Sequence, residues 1–352
     1  MRRTKLLAAS FALAALSGSV AGAGTFKELT EFFNQNDVNI DIAVTGDYLF
    51  TADRSDKIGG ESGYEDRFGY AGYFAISKEA TEKSPFGFKV AFGNEYAPVV
   101  GIEPLPSADN QVKLHEAYVE AKFANFDLMA GRILTNIGGE AAYTWENYNI
   151  QRGLVWNGEP VFYNGVRVSA EFGRFGVYAG VNDRDTSDGK MAVEAGISTQ
   201  LPYKTSVSLN ALVPDSKDEN PTKVVNLTFN IDYLPNLPIT FYADYLSTPQ
   251  AGQDAQSVGL ALLTDYKFNK QISVGARVEY VNNDGDGDNY GIGVGNNAVT
   301  FTVTPKYQIN KYLYIRGEAS YVKLGNKYYV KKNDGTTTDT EFRLGAEIGF
   351  VF

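Results

Sequence analysis

The sequence predicts an all-β fold, a transmembrane antiparallel β-barrel of about 16 strands. Three observations predict it: an alternating run that ends the chain, a short apolar leader that begins it, and hairpins whose connections switch between short and long. In the closing run Phe342, Leu344, Ala346, Ile348, Phe350 and Phe352 occupy every second position. A strand has period two, so these side chains share one face, opposite Arg343, Gly345, Glu347 and Gly349. A barrel in lipid needs that outward apolar face, a polar lumen and aromatics at the membrane boundary.

The leader agrees. Arg2, Arg3 and Lys5 form a basic start, residues 6–16 are a run of Leu, Ala and Phe, and Ala21 and Ala23 offer a small-residue cleavage site. This reads as a secretory signal peptide over residues 1–23, too short to span a bilayer. Residues 24–37 form a short periplasmic N-terminal segment with Phe26, Leu29, Phe32 and Phe33 at near-helical spacing. The barrel occupies 38–352. With Cys 0 there are neither disulfides nor thiolate ligands, and a closed hydrogen-bonded sheet needs no such staples.

Strands are expected at 38–52, 66–77, 86–96, 113–123, 126–134, 163–171, 175–184 and 190–200. The second half gives 204–213, 222–233, 238–247, 256–268, 271–282, 297–307, 312–324 and 340–352. Tight connections at 124–125, 173–174, 234–237, 269–270 and 308–311 each follow an even-numbered strand. Longer connections rich in Gly, Asp and Asn, such as 53–65, 97–112, 283–296 and 325–339, follow odd-numbered ones. Short turns at one end and long loops at the other suit an outer-membrane barrel with both termini in the periplasm. Within strands, Ile272, Val274, Ala276, Val278 and Tyr280 oppose Ser273, Arg277 and Glu279, and Val225, Leu227, Phe229 and Ile231 oppose Asn226, Thr228, Asn230 and Asp232. A charge against lipid costs several kcal/mol, so the charged set belongs in the lumen, which is expected to be wet. Aromatics beside the tight turns, Phe123 with Phe126 and Phe172 with Phe175, suit an interfacial girdle.

Composition excludes other classes. No run of roughly 20 apolar residues follows the leader, so a helical membrane protein is excluded. The formal charge is −10, and loss of Arg2, Arg3 and Lys5 with the leader takes it to −13. Phosphate binding needs a basic surface, so nucleic acid is not an expected partner. Asp284, Asp286 and Asp288 alternate as calcium ligands do, but the twelfth position is Gly295 where a bidentate acid is required, and no metal site is assigned. His115 is the sole histidine. Strict alternation places it with Ala117 and Val119 on the lipid face, away from Glu116, so no enzyme and no cofactor are expected.

The connection at 135–162 is the longest and holds both tryptophans, Trp145 and Trp156. A long loop of ordered composition is usually functional. Around it run Gly131-Arg132, Thr135, Ile137-Gly138 and Glu140, then Asn147-Tyr148-Asn149 and Arg152, then Pro160 and Gly165-Val166-Arg167. This stretch of about 40 residues resembles the OmpL-like β-barrel porin family, from whose pattern Gly153 and Asn164 depart. The resemblance implies an outer-membrane porin: a water-filled channel for passive diffusion of ions and small hydrophilic solutes. By analogy with 16-stranded porins it also implies a third surface loop folded into the barrel, and a homotrimer.

If the loop enters the lumen, Glu140, Glu146 and Glu159, with Trp145, would oppose Arg152, Arg132 and Arg167 as the constriction. Acids facing bases across a narrow gap order water and favour small polar solutes. Glu116, Glu120, Lys122, Arg277, Glu279, Arg316, Glu318, Arg343 and Glu347 would line the rest of the pore. Outer-membrane lipid and lipopolysaccharide are the expected surroundings. The terminal Phe352 is similar to the signal read by the barrel-assembly machinery. A sugar- or organic-anion-selective channel and a non-conducting adhesive barrel are the alternative readings.

Overall fold

The computed structural model describes residue 33 and residues 36–52, 65–102, 105, 110–186, 188–249, 254–330 and 335–352. Residues 1–23, expected as a signal peptide, and all of 24–37 except 33, 36 and 37 lie outside the described residues.

Sixteen antiparallel strands close into one barrel. In chain order they are β1 Asn39–Ala52, β2 Glu65–Lys78, β3 Phe86–Gly93, β4 Lys113–Phe123, β5 Phe126–Leu134, β6 Phe162–Phe172, β7 Phe175–Asn182 and β8 Ala192–Leu201. They continue with β9 Thr205–Pro214, β10 Lys223–Ile231, β11 Ile239–Thr248, β12 Ala255–Lys267, β13 Ile272–Asp284, β14 Asn297–Gln308, β15 Leu313–Leu324 and β18 Thr340–Val351. A small hairpin, β16 Tyr329–Val330 and β17 Thr337–Thr338, sits in the last loop. Each barrel strand pairs with its neighbour in sequence, and β18 closes on β1 with Val44 opposite Phe350 and Phe50 opposite Leu344. Closure gives every barrel strand a paired neighbour on each side, as a sheet in lipid requires.

Alternation decides the faces as expected. On β18 Phe342, Leu344 and Ile348 are exposed outward, whereas Arg343 and Glu347 are buried inside. The terminal ring is not a free end: Phe352 packs at a tilt against Tyr312 at 5.3 Å, and its backbone exchanges hydrogen bonds with Ile42. At the short-turn end Phe86 meets Phe123 and Phe126 meets Phe172, each edge to face at 6.4 Å, in the girdle position.

Three details depart from strict alternation. Strand β3 stops at Gly93, because the chain turns inward and Tyr96 donates to Asp47 Oδ2 at 2.6 Å. A β-bulge opposite Ala91 and Phe92 sends both His115 and Glu116 inward. His115 therefore does not face lipid; it is buried and stacks on Tyr143 at 5.6 Å. The lumen is also less wet than expected. Toward the long-loop end the inward residues turn apolar: Leu246, Val281, Ala298, Val322 and Leu324 form a buried cluster with Val100, Leu154, Val155, Tyr290 and Tyr329 from the loops. Water is expelled there because the loops supply the second apolar layer that a strand pattern alone cannot reveal.

Candidate functional site

Surface loop L3, residues 135–161, is laid against the inner faces of β11, β13, β15 and β18 by wall side chains that bind its backbone. Two single 3-10 turns, Thr144–Glu146 and Trp156–Gly158, shape it. Inside a barrel the carbonyls and N–H groups of an irregular segment need protein partners, and the buried wall charges provide them. Arg277 on β13 donates to Glu140 Oε1 at 2.6 Å and to the Gln151 carbonyl at 2.7 Å. On β15, Arg316 donates to the carbonyls of Thr144 and Asn147, both at 2.9 Å, and to Glu347 Oε1 at 2.8 Å. Its neighbour Glu318 accepts from the N–H groups of Ile150 at 2.5 Å and Gln151 at 3.1 Å. Arg343 on β18 donates to Gln151 Oε1 at 2.6 Å, and Glu279 accepts from the N–H of Val155 at 3.1 Å. Close approach needs small residues: a Cβ on Gly153 would overlap the Glu279 carboxylate. Gly138, at φ 105°, has the left-handed backbone that glycine tolerates, and it underlies Glu159.

The expected residues divide into groups. Glu140 stands where it meets Arg277, Gly153 and Tyr242, and its basic partner is therefore not Arg132 or Arg167. Arg132 pairs instead with Asp185 in the fourth surface loop at 2.5 Å. Arg167 pairs with Glu194 on β8 at 2.9 Å and also binds Asn136. Arg152 is fully buried in L3, donates to the Ala142 carbonyl and lies over the Trp156 ring. Burial pushes its guanidinium down to about 10, so it stays charged near neutral pH. Glu159 lines a cavity of about 190 Å3 within L3, together with Glu140, Glu146 and Trp156. Burial first, and then Asp244, push its carboxyl well above the usual glutamate range. Glu146 is exposed, and Trp145 is half-buried and stacked on Tyr143 at 4.9 Å.

Of the expected lining, Arg277, Glu279, Arg316, Glu318, Arg343 and Glu347 are inward yet buried under L3 rather than bathed in water. Glu116 is ion-paired to Lys89 at 2.6 Å, and Lys122 to Asp127 at 3.1 Å. Glu120 accepts from the Ala80 N–H in the first short turn. Sequence reasoning missed Glu194, Asp185, Gln151 and the inward course of loop L2, described at residues 94–102 and 105. Alternation within 190–200 already puts Glu194 on the polar face. Nothing local in L2 marks where it goes.

A closed 16-stranded barrel, apolar outside, charged inside and crossed by a docked loop, is the architecture of an outer-membrane porin, a channel and not an enzyme. Residues 37–352 match the family described as "Putative beta-barrel porin-2, OmpL-like", and the chain belongs to that family. Its place is the bacterial outer membrane. Among solved structures the chain is similar to the anion-selective porin from Comamonas acidovorans, with TM-score 0.64 and 10% identity over 90% of this chain and 99% of that one. It is also similar to OmpT of Vibrio cholerae, with TM-score 0.60 and 11% identity over 90% and 97%. A trimer form of that OmpT matches with TM-score 0.59 and 10% identity over 90% and 99%. At such identities the likeness shows the fold alone. No curated protein matches the chain.

Proposed function

We propose that the channel passes ions and small hydrophilic solutes by passive diffusion, with L3 as its constriction. The observation that carries this reading is the seating of L3 on Arg277, Arg316 and Arg343, three wall arginines that bind loop groups. A loop held by charge-assisted hydrogen bonds narrows the lumen at fixed width and does not flap. Solute size is then set by L3 with Glu146 and Trp145 on its accessible side, while Arg167 with Glu194 lines the wall at the start of the loop. The chain works as a homotrimer, as one of the similar structures does, and Phe352 serves recognition by the barrel-assembly machinery. Lipopolysaccharide surrounds the long-loop end.

A second reading, a sugar-selective channel, is favoured by the flat stack of Trp145 on Tyr143, with Tyr73 at 5.3 Å from the indole. Aromatic faces of this kind bind the apolar faces of sugar rings. Single-channel current in planar bilayers tests both. Stable steps that grow when L3 is shortened support the constriction, and a salt gradient reads the sign of ion selectivity. Block by a disaccharide, lost in Trp145→Ala, selects the sugar reading. A correctly folded barrel without current removes the channel reading altogether.

A further inference from the structure

We propose that L2 is the second wall of the constriction, joined to L3 edge to edge, and that Arg343 is the positioning residue for both loops. This deepens the channel reading and rests on it.

The two loops share backbone hydrogen bonds. Arg152 donates its N–H to the Pro98 carbonyl at 2.8 Å, and Val100 donates to the Arg152 carbonyl at 3.0 Å, a parallel bridge centred on Val99 and Arg152. Arg343 then spans them. One guanidinium nitrogen donates to the Val99 carbonyl of L2 at 2.9 Å and to Gln151 Oε1 of L3 at 2.6 Å. The other donates to the Ile102 carbonyl at 3.2 Å and to Glu341 Oε2 at 3.2 Å, and Nε donates to Thr51 Oγ1 at 3.0 Å. Glu341 completes the clamp by accepting from the Gly101 N–H at 3.0 Å. Each nitrogen of the fork is thus used on a group that would otherwise be buried without a partner.

Packing agrees with the polar contacts. Leu105 of L2 lies in a buried cluster with Ile150 of L3 and Leu49 of β1, and Val100 joins the larger apolar core. Tyr96 anchors the start of the loop on Asp47. Pro98, Val99 and Val100 are buried, whereas Ala97 keeps partial exposure at the edge. L2 therefore stands inside the barrel between L3 and the wall formed by β15, β18 and β1. It covers Arg152 on the L2 side and so sets where the accessible edge of the constriction begins. A lysine at 343 keeps the charge but cannot hold these five acceptors with one ammonium.

The test uses the full mature protein in planar bilayers, where the absence of cysteine gives a clean background. Ala97→Cys is exposed to the cationic thiol reagent MTSET during recording, with Ser216→Cys on a surface loop as control. The expected result is a stepwise partial loss of current at Ala97→Cys and none at the control. Arg343→Met is expected to raise conductance, add noise and shift the reversal potential, with Arg343→Lys giving a partial return. Labelling of Ala97→Cys, verified by mass, without any change in current overturns the proposal even if Arg343→Met fails to fold. A current that grows on shortening L3 yet ignores L2 removes this inference and leaves the channel reading standing. Absence of current in the wild type removes both.

Discussion

Replacing Arg277 by methionine tests how L3 is seated. Methionine keeps much of the aliphatic stem and removes the guanidinium. The change deletes the 2.6 Å pair with Glu140, the 3.2 Å pair with Glu279 and the 2.7 Å bond to the Gln151 carbonyl. All three charged side chains are fully buried. Removing one member of a buried ion pair costs about 3–5 kcal/mol, because a charge is left without a partner. At about 1.4 kcal/mol per tenfold, the unseated population of the loop should rise by about two to three and a half orders of magnitude. The barrel itself should survive, since Arg277 keeps its backbone register opposite Leu263 and Thr302. The expected record is a larger mean conductance with strong open-channel noise, from protein whose heat-modifiable migration on gels is unchanged. Adding Glu140→Gln should recover part of the quiet state, because the orphaned charge goes with it, and the double variant should lose less than the two single losses together. Wild-type conductance and noise in Arg277→Met would refute the claim that this pair seats the loop.

Other expectations follow from the same contacts. Gly153→Ala drives a methyl group into the Glu279 carboxylate. It should destabilise the seated loop by roughly 1–3 kcal/mol, seen as noise without loss of barrel assembly. Deleting Phe352 removes the two backbone bonds to Ile42 and the ring packed against Tyr312. The yield of heat-modifiable barrel from refolding into lipid vesicles should fall, and full recovery with Phe352→Trp but not with Phe352→Ser would assign the effect to the ring. Glu159 carries a carboxyl raised above its ordinary 4.5, so the seated loop binds a proton that the free loop releases. Seating is then strongest below that ordinary value and weakens as pH rises toward the raised one, the sign expected when the native state binds more protons. Open-channel noise should grow over that range in wild type, and an identical pH profile in Glu159→Gln would exclude this residue as the cause.

Much of the barrel was legible in the residues because period two is local. Alternation starts the last strand at Thr340, and β18 starts there; the expected strands 113–123 and 126–134 coincide with β4 and β5. The failures lie where a local rule met a distant partner. Counting along the strand places His115 toward lipid, and one bulge against β3 reverses it. The expected strand 86–96 is too long because Tyr96 leaves the ladder to bind Asp47 over Gly69 of β2. Acids and bases are both legible in 132–167, yet Arg277 rather than Arg132 meets Glu140, since complementary charge does not specify which pair the loop brings together.

The sequence by itself determined most of the lipid face, how many strands close the barrel and which connections are long, because alternation, turn chemistry and charge exclusion from lipid act over a few neighbouring residues. The tertiary structure alone decided that L2 and L3 pair inside, that three arginines hold them, and that the loop end of the lumen is packed rather than wet. Those outcomes depend on contacts between segments as far apart as Val99 and Arg343. Such contacts are settled by which buried carbonyl and which guanidinium find each other once the barrel has closed.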